Sequence, residues 1–149
     1  MLRSYYIRIL VAPSLFILLI WGVLNCGGSE VGSTVSTIEF NPNPATLSSG
    51  ICTSQAAIVA LSGEDVTLVS LTANFMDPNG MKTEIQMNTE ELTNVLSTNV
   101  LPGRSLTQGS FSFDLSSDGL ISPADGVVVI LGVGTGGSTQ FVGNLRCEA

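Results

Sequence analysis

The sequence predicts an all-β domain, a single sandwich of about seven strands with one short helix near residues 89–96. Three observations predict it. Beyond residue 27 the chain is rich in Ser, Thr, Val, Gly and Asn and nearly lacks lysine, a composition that favours strands and turns. Several stretches alternate apolar and polar residues with a period of two. Short clusters of Pro, Asn, Asp, Ser and Gly punctuate them at the spacing of turns.

The elements follow in chain order. Residues 35–40 read as a first strand, with Ile38 and Phe40 on one face. Asn41-Pro42-Asn43-Pro44 reads as a turn, because two prolines remove two backbone donors and force the residues before them to be extended. Residues 52–61 form the second strand, with Cys52, Ile58 and Ala60 on one side, and 66–75 the third, strongly β-branched. Asp77-Pro78-Asn79-Gly80 is a hairpin signal. After it Met81, Thr83, Ile85 and Met87 point inward and Lys82, Glu84 and Gln86 outward. Asn88-Thr89-Glu90-Glu91 has the spacing of a capping box, and Leu92, Val95 and Leu96 follow at helical intervals. Residues 99–107 read as irregular. Phe111, Phe113 and Leu115 share a face in the next strand, and 127–131 is a continuous apolar run suited to a strand covered on both faces. A turn at 134–138 leads to the last strand, 140–147, with Phe141, Leu145 and Cys147 on one face.

Charge narrows the function classes. The chain of 149 residues carries 12 acids, 5 bases and no histidine. Arg3 and Arg8 stand at the start, so beyond residue 25 the only bases are Lys82, Arg104 and Arg146. Three scattered cations make no phosphate-binding stripe, and no nucleic-acid partner is expected. The absence of histidine removes the commonest general base and the commonest metal ligand, and the chain is read as a non-enzyme. Glu90-Glu91 is a solvated helix start rather than a catalytic pair, and the glycine-rich 132–137 stretch lacks the lysine of a nucleotide loop.

The first 25 residues have the form of a signal peptide: Arg3 and Arg8, then an uncharged run over 9–25 in which Ile, Leu, Val, Phe and Trp dominate. Positive charge stays inside, so the remainder is exported. The run ends in Val23-Leu24-Asn25-Cys26, followed by Gly27-Gly28-Ser29. This resembles the lipobox of bacterial lipoproteins, with Asn25 in place of the usual Gly, Ala or Ser. The resemblance implies cleavage before Cys26 and acylation (palmitate) of its thiol. It implies a lipid bilayer as partner and a domain held to the cell envelope, facing the periplasm or exterior. The division is then a signal helix over 1–25, a flexible tether over 26–34 and the β-sandwich over 35–149. An uncleaved signal anchor and an ordinary cleaved signal are the competing readings.

The strand pattern, with Phe40, Pro42 and Pro44 at its start, resembles bacterial immunoglobulin-like domains. Setting Cys26 aside leaves Cys52 and Cys147. In an alternating seven-strand sandwich the second strand opens at the end where the seventh closes, which makes a Cys52–Cys147 disulfide reasonable in an oxidising compartment. Two free buried thiols are the alternative.

Residues 114–125 fit a twelve-residue calcium loop, with Asp114, Ser116 and Asp118 at positions 1, 3 and 5, the Leu120 carbonyl at position 7 and Asp125 at position 12, around a Gly119 turn. The loop resembles those of dockerins and related EF-hand-type sites. That implies calcium as a cofactor and calcium-dependent adhesion or carbohydrate binding as an alternative to a purely structural or protein-binding role. A plain polar loop between two strands is the other reading, with no cofactor.

Overall fold

The computed structural model describes residues 36–149; the leader and tether expectations lie outside that range. The chain runs β1 (Ser36–Ser48), β2 (Ile51–Val59), β3 (Val66–Met76), β4 (Lys82–Asn88), α1 (Thr89–Leu96), β5 (Val100–Leu101), β6 (Leu106–Asp114), β7 (Ala124–Gly134) and β8 (Gly137–Glu148). It is mostly strand, with one short helix.

The eight strands are hydrogen-bonded into one sheet in the order β4-β3-β7-β8-β1-β2-β6, with the two-residue β5 added to β3. The sequence predicts about seven strands in a sandwich. The observed sheet is sandwich-like, but its two halves stay joined through β1 and curl into a half-barrel. β1 pairs antiparallel with β2 and parallel with β8. The disulfide locates the bend. Cys52 on β2 and Cys147 on β8 lie two strands apart in the sheet, yet their Cα atoms are 5.8 Å apart. A flat sheet would separate them by about 9–10 Å, so the sheet folds sharply at β1.

The inward faces match the alternation in the sequence. Ile38, Phe40, Cys52, Ile58, Ala60, Phe111, Phe113, Leu115, Phe141, Leu145 and Cys147 are all buried. Phe111 stacks on Phe113, which tilts against Phe75 at 5.3 Å between ring centroids. The helix forms where the capping box predicts it. The Asn88 side chain accepts from the Glu90 and Glu91 N–H groups, and the Glu91 carboxylate accepts from the Asn88 N–H. This satisfies donors that the first helical turn otherwise leaves open. Leu92 and Leu96 then seal the core.

Four local expectations are corrected. The 41–44 segment is not a turn between strands: β1 continues through it. Pairing slips from Asn41↔Gln55 to Thr46↔Thr53 on one side and from Thr37↔Val142 to Ala45↔Cys147 on the other, so three extra residues bulge out of both ladders. Met81 is exposed, not inward, because its N–H is drawn into the preceding turn by the Asp77 carboxylate at 2.9 Å. The 99–107 segment contains β5 and the start of β6, and so is less irregular than its sequence suggests. The 127–131 run is covered on one face only: Val128 and Ile130 are buried, whereas Val127 is exposed and Val129 and Leu131 are half-exposed.

Candidate functional site

A groove of about 640 Å³ lies on the outer face of β3, β7 and β8. Its position follows from pairing. Asn74 on β3, Val127 on β7 and Asn144 on β8 lie in one cross-strand row, and Met76, Asp125 and Arg146 form the row beside it. Outward positions on successive strands therefore converge, with Lys82 of β4 and Asn43 of the β1 bulge at the margins. Val127 and Met76 supply an apolar floor beside amides and charges.

The charges are fixed by one another. The Arg146 Nε donates to Glu148 Oε1 at 2.6 Å, and its Nη1 donates to Asp125 Oδ1 at 3.3 Å. Both contacts hold the guanidinium pKa above its ordinary value, Glu148 contributing most. These side chains are roughly half exposed, so the pairs orient Arg146 more than they stabilise the fold. Lys82 forms no ion pair among the described residues.

Of the residues that the sequence marks for calcium, only Asp125 reaches this groove. Asp114 closes a local turn: its Oδ1 accepts from the N–H and hydroxyl of Ser116, which holds its pKa below the ordinary carboxylate value. The Asp118 carboxylate accepts from the buried Thr83 hydroxyl on β4 at 2.5 Å. Asp125 pairs with Arg146, and Leu120 packs against the core. The carboxylates thus point to three different partners, and no group of three potential acidic or thiol ligands gathers among the described residues.

The loop also makes structural contacts with the β3–β4 turn. Asp77 is 4% exposed; its Oδ1 accepts from Asn79 and Met81, and its Oδ2 accepts from the Ile121 N–H. Together with the Thr83–Asp118 bond, this ties the segment after β6 to the edge strand β4 across the open side of the half-barrel.

Cys52 and Cys147 form the disulfide that the sequence predicts. Cys26 lies outside the described residues. The sequence reading missed the groove itself. The available signal was Asn74 and Asn144, two asparagines at outward mid-strand positions, where asparagine is ordinarily depleted.

No protein-family profile matches the chain, and no curated protein matches it. Among solved structures, Northeast Structural Genomics Consortium target SoR45 superposes with a TM-score of 0.59 at 14% identity, over 76% of this chain and 86% of that one. The sporulation control protein Spo0M of Bacillus subtilis gives a TM-score of 0.45 at 12% identity, over 77% of this chain and 50% of its own. The Pseudomonas fluorescens alkylpurine DNA glycosylase AlkC, bound to DNA containing an abasic site analog, gives 0.41 at 10% identity, over 76% of this chain and 30% of its own. This chain therefore spans half of the sporulation protein and less than a third of the glycosylase. The similarity to SoR45 is one of fold alone.

Proposed function

We propose that this chain is an extracytoplasmic lipoprotein, acylated at Cys26 and held to a bilayer, whose β domain has a non-enzymatic structural or binding role. The observation that carries the reading is the Cys52–Cys147 pair. Three cysteines are present and two satisfy each other, which leaves Cys26 as the odd thiol, directly after an apolar leader and before Gly27-Gly28. A buried disulfide also suits an oxidising compartment outside the cytoplasm. On this reading the domain is an immunoglobulin-like sandwich variant whose two halves have not separated at β1.

Mass spectrometry of the protein from native membranes tests it. The expected N-terminus is Cys26 carrying acyl chains. An intact Met1 with an unmodified Cys26 thiol overturns the reading.

A second reading, an adhesion or glycan-binding module, is favoured by the groove. Asn74, Asn144, Lys82 and Asp125 offer donors and acceptors for hydroxyl groups beside the apolar Met76 and Val127. A glycan array probed with and without chelator, and repeated on Asn74→Ala, tests it. Binding that survives the chelator and falls in the variant supports the groove. Binding abolished by chelator returns the role to calcium at residues 114–125.

A further inference from the structure

The two ends of the half-barrel differ. At one end lie the start of β1 at Ser36, the end of β2, the start of β6 and the β7–β8 hairpin. The groove with Asp125 and Arg146 lies at the other end. Large apolar residues are exposed at both ends, with Ile51, Met76, Met81, Ile121 and Val127 at the groove end. Leu61 is 56% exposed and Leu106 59%, the two most exposed large apolar residues described, and Val100 and Val133 join them at the first end.

Leu61 and Leu106 belong to one built platform. They line the same shallow hollow together with Val59 and Arg104. The loops that carry them are fastened to each other: the Ala60 N–H donates to the Ser105 carbonyl at 3.0 Å and the Arg104 N–H to the Ser62 carbonyl at 2.8 Å. They approach so closely that a Cβ on Gly103 would lie 2.5 Å from the Gly63 backbone. Order this tight holds the two leucines out in solvent rather than letting them fold back. Arg104 is the one base at this end. Two acids lie here as well: Glu64 accepts from Thr135 and Gly136, and Asp65 accepts from the Gly103 N–H.

Isolated exposed apolar residues are ordinary on a soluble surface; what matters here is where the chain comes from. Ser36 follows Cys26 by ten residues, a span of about 35 Å fully extended and of about 18 Å on average for a Gly/Ser-rich coil. The chain from Cys26 thus enters the domain at this end, and the groove lies at the other.

We propose that the platform of Leu61 and Leu106, with Arg104 beside them, is a membrane contact: the leucines enter the interfacial region and Arg104 meets lipid phosphates. The proposal rests on the membrane-anchored reading and adds an orientation to it, with the groove turned away from the lipid. Burial of apolar area at the interface adds to the attachment that an acylated Cys26 supplies.

Fluorescence in proteoliposomes tests it. The full chain in a Trp21→Phe background is reconstituted into vesicles of phosphatidylethanolamine and phosphatidylglycerol, with one tryptophan placed by Leu61→Trp, Leu106→Trp or Ile51→Trp. Ile51 is exposed at the opposite end. Lipids brominated on the acyl chains are expected to quench the first two and to leave the third unquenched. Equal quenching at all three positions, or none at Leu61 and Leu106 in vesicle-bound protein, overturns the orientation. A blue shift at Leu61→Trp that depends on protein concentration in the absence of vesicles also overturns it and makes the platform a contact between copies. The mass of the N-terminal peptide from the same sample reports on acylation separately, so an unmodified Cys26 with quenching intact overturns only the lipid attachment. A chain that does not partition into the vesicles overturns both.

Discussion

The side-chain amide of Asn43 takes the place of a peptide group for Arg146. Its Oδ1 accepts the Arg146 N–H at 3.0 Å, and its Nδ2 donates to the Asn144 carbonyl at 3.0 Å. Three residues bulge out of β1 at this point, and the β8 backbone would otherwise face no ladder partner there. On the other flank the Ser54 hydroxyl donates to the Pro42 carbonyl at 2.9 Å. The bulge is sewn to both neighbours by side chains. Asn43→Ala is expected to lower stability by about 1–2 kcal/mol, the sum of two partly exposed hydrogen bonds. Asn43→Asp keeps the acceptor, loses the donor and turns a carboxylate toward the Asn144 carbonyl, so it is expected to be no less destabilising. Urea denaturation of both variants checks the order.

Reduction of the Cys52–Cys147 bridge releases a loop with a sequence separation of 95. On the chain-entropy account the loss approaches about 4–5 kcal/mol as an upper figure. The double variant Cys52→Ala, Cys147→Ala is expected to show nearly the same denaturation midpoint with and without dithiothreitol, whereas the wild type shifts. A wild type insensitive to reductant under unfolding conditions contradicts this.

Gly126 lies under the Phe75 ring, and a Cβ there would collide with ring atoms. Phe75 is 1% exposed and packed on Phe113, so it has nowhere to move. Gly126→Ala is expected to cost about 1–3 kcal/mol through overpacking. Trimming the obstacle separates this cause from a backbone effect: Phe75→Leu is expected to cost less in the Gly126→Ala background than alone, and a double-mutant cycle measures the difference. Additive costs exclude the ring collision.

The Asp114 carboxyl is stabilised in its charged form by Ser116, the side-chain hydroxyl contributing most and the backbone N–H next. Its folded pKa lies below the unfolded one. The contribution to stability is therefore present above the ordinary carboxylate value of about 4 and is lost as pH falls through the depressed folded value. Ser116→Ala removes the hydroxyl and is expected to bring the Asp114 titration midpoint upward, as read by carboxyl NMR. An unchanged midpoint would mean that the backbone N–H alone sets it.

Much of the fold was legible because it rests on short-range rules. Period-two alternation located Ile38, Phe40, Phe111, Phe113 and Leu145 on the inner face, and the Asn88–Glu91 spacing located the helix to the residue. Strand parity in a seven-strand sandwich made the Cys52–Cys147 pairing reasonable beside two free thiols, and the bridge is present. What stayed hidden depends on partners distant in sequence. Pro42 and Pro44 read locally as a break, and only Ser54, Asn144 and Arg146 show why the strand survives them. An apolar run such as Val127–Leu131 does not say whether a second layer covers it. The acids of 114–125 have ligand spacing, but spacing is blind to Thr83 and Arg146, which engage Asp118 and Asp125. The groove was hidden for the same reason, since its rows come from strands β3, β7 and β8, joined only by register.

The disulfide also divides the domain mechanically. It closes a covalent ring from residue 52 to residue 147, and β1 is the only described strand wholly outside that ring. A pull applied ahead of Ser36 and resisted at the groove runs along β1, which is clasped lengthwise between β2 and β8. Its cross-strand bonds then share the tension in shear instead of opening one by one. If β1 does slide free, its 13 residues span at most about 45 Å. Beyond that the bridge passes the load directly to Cys147, next to Arg146 of the groove.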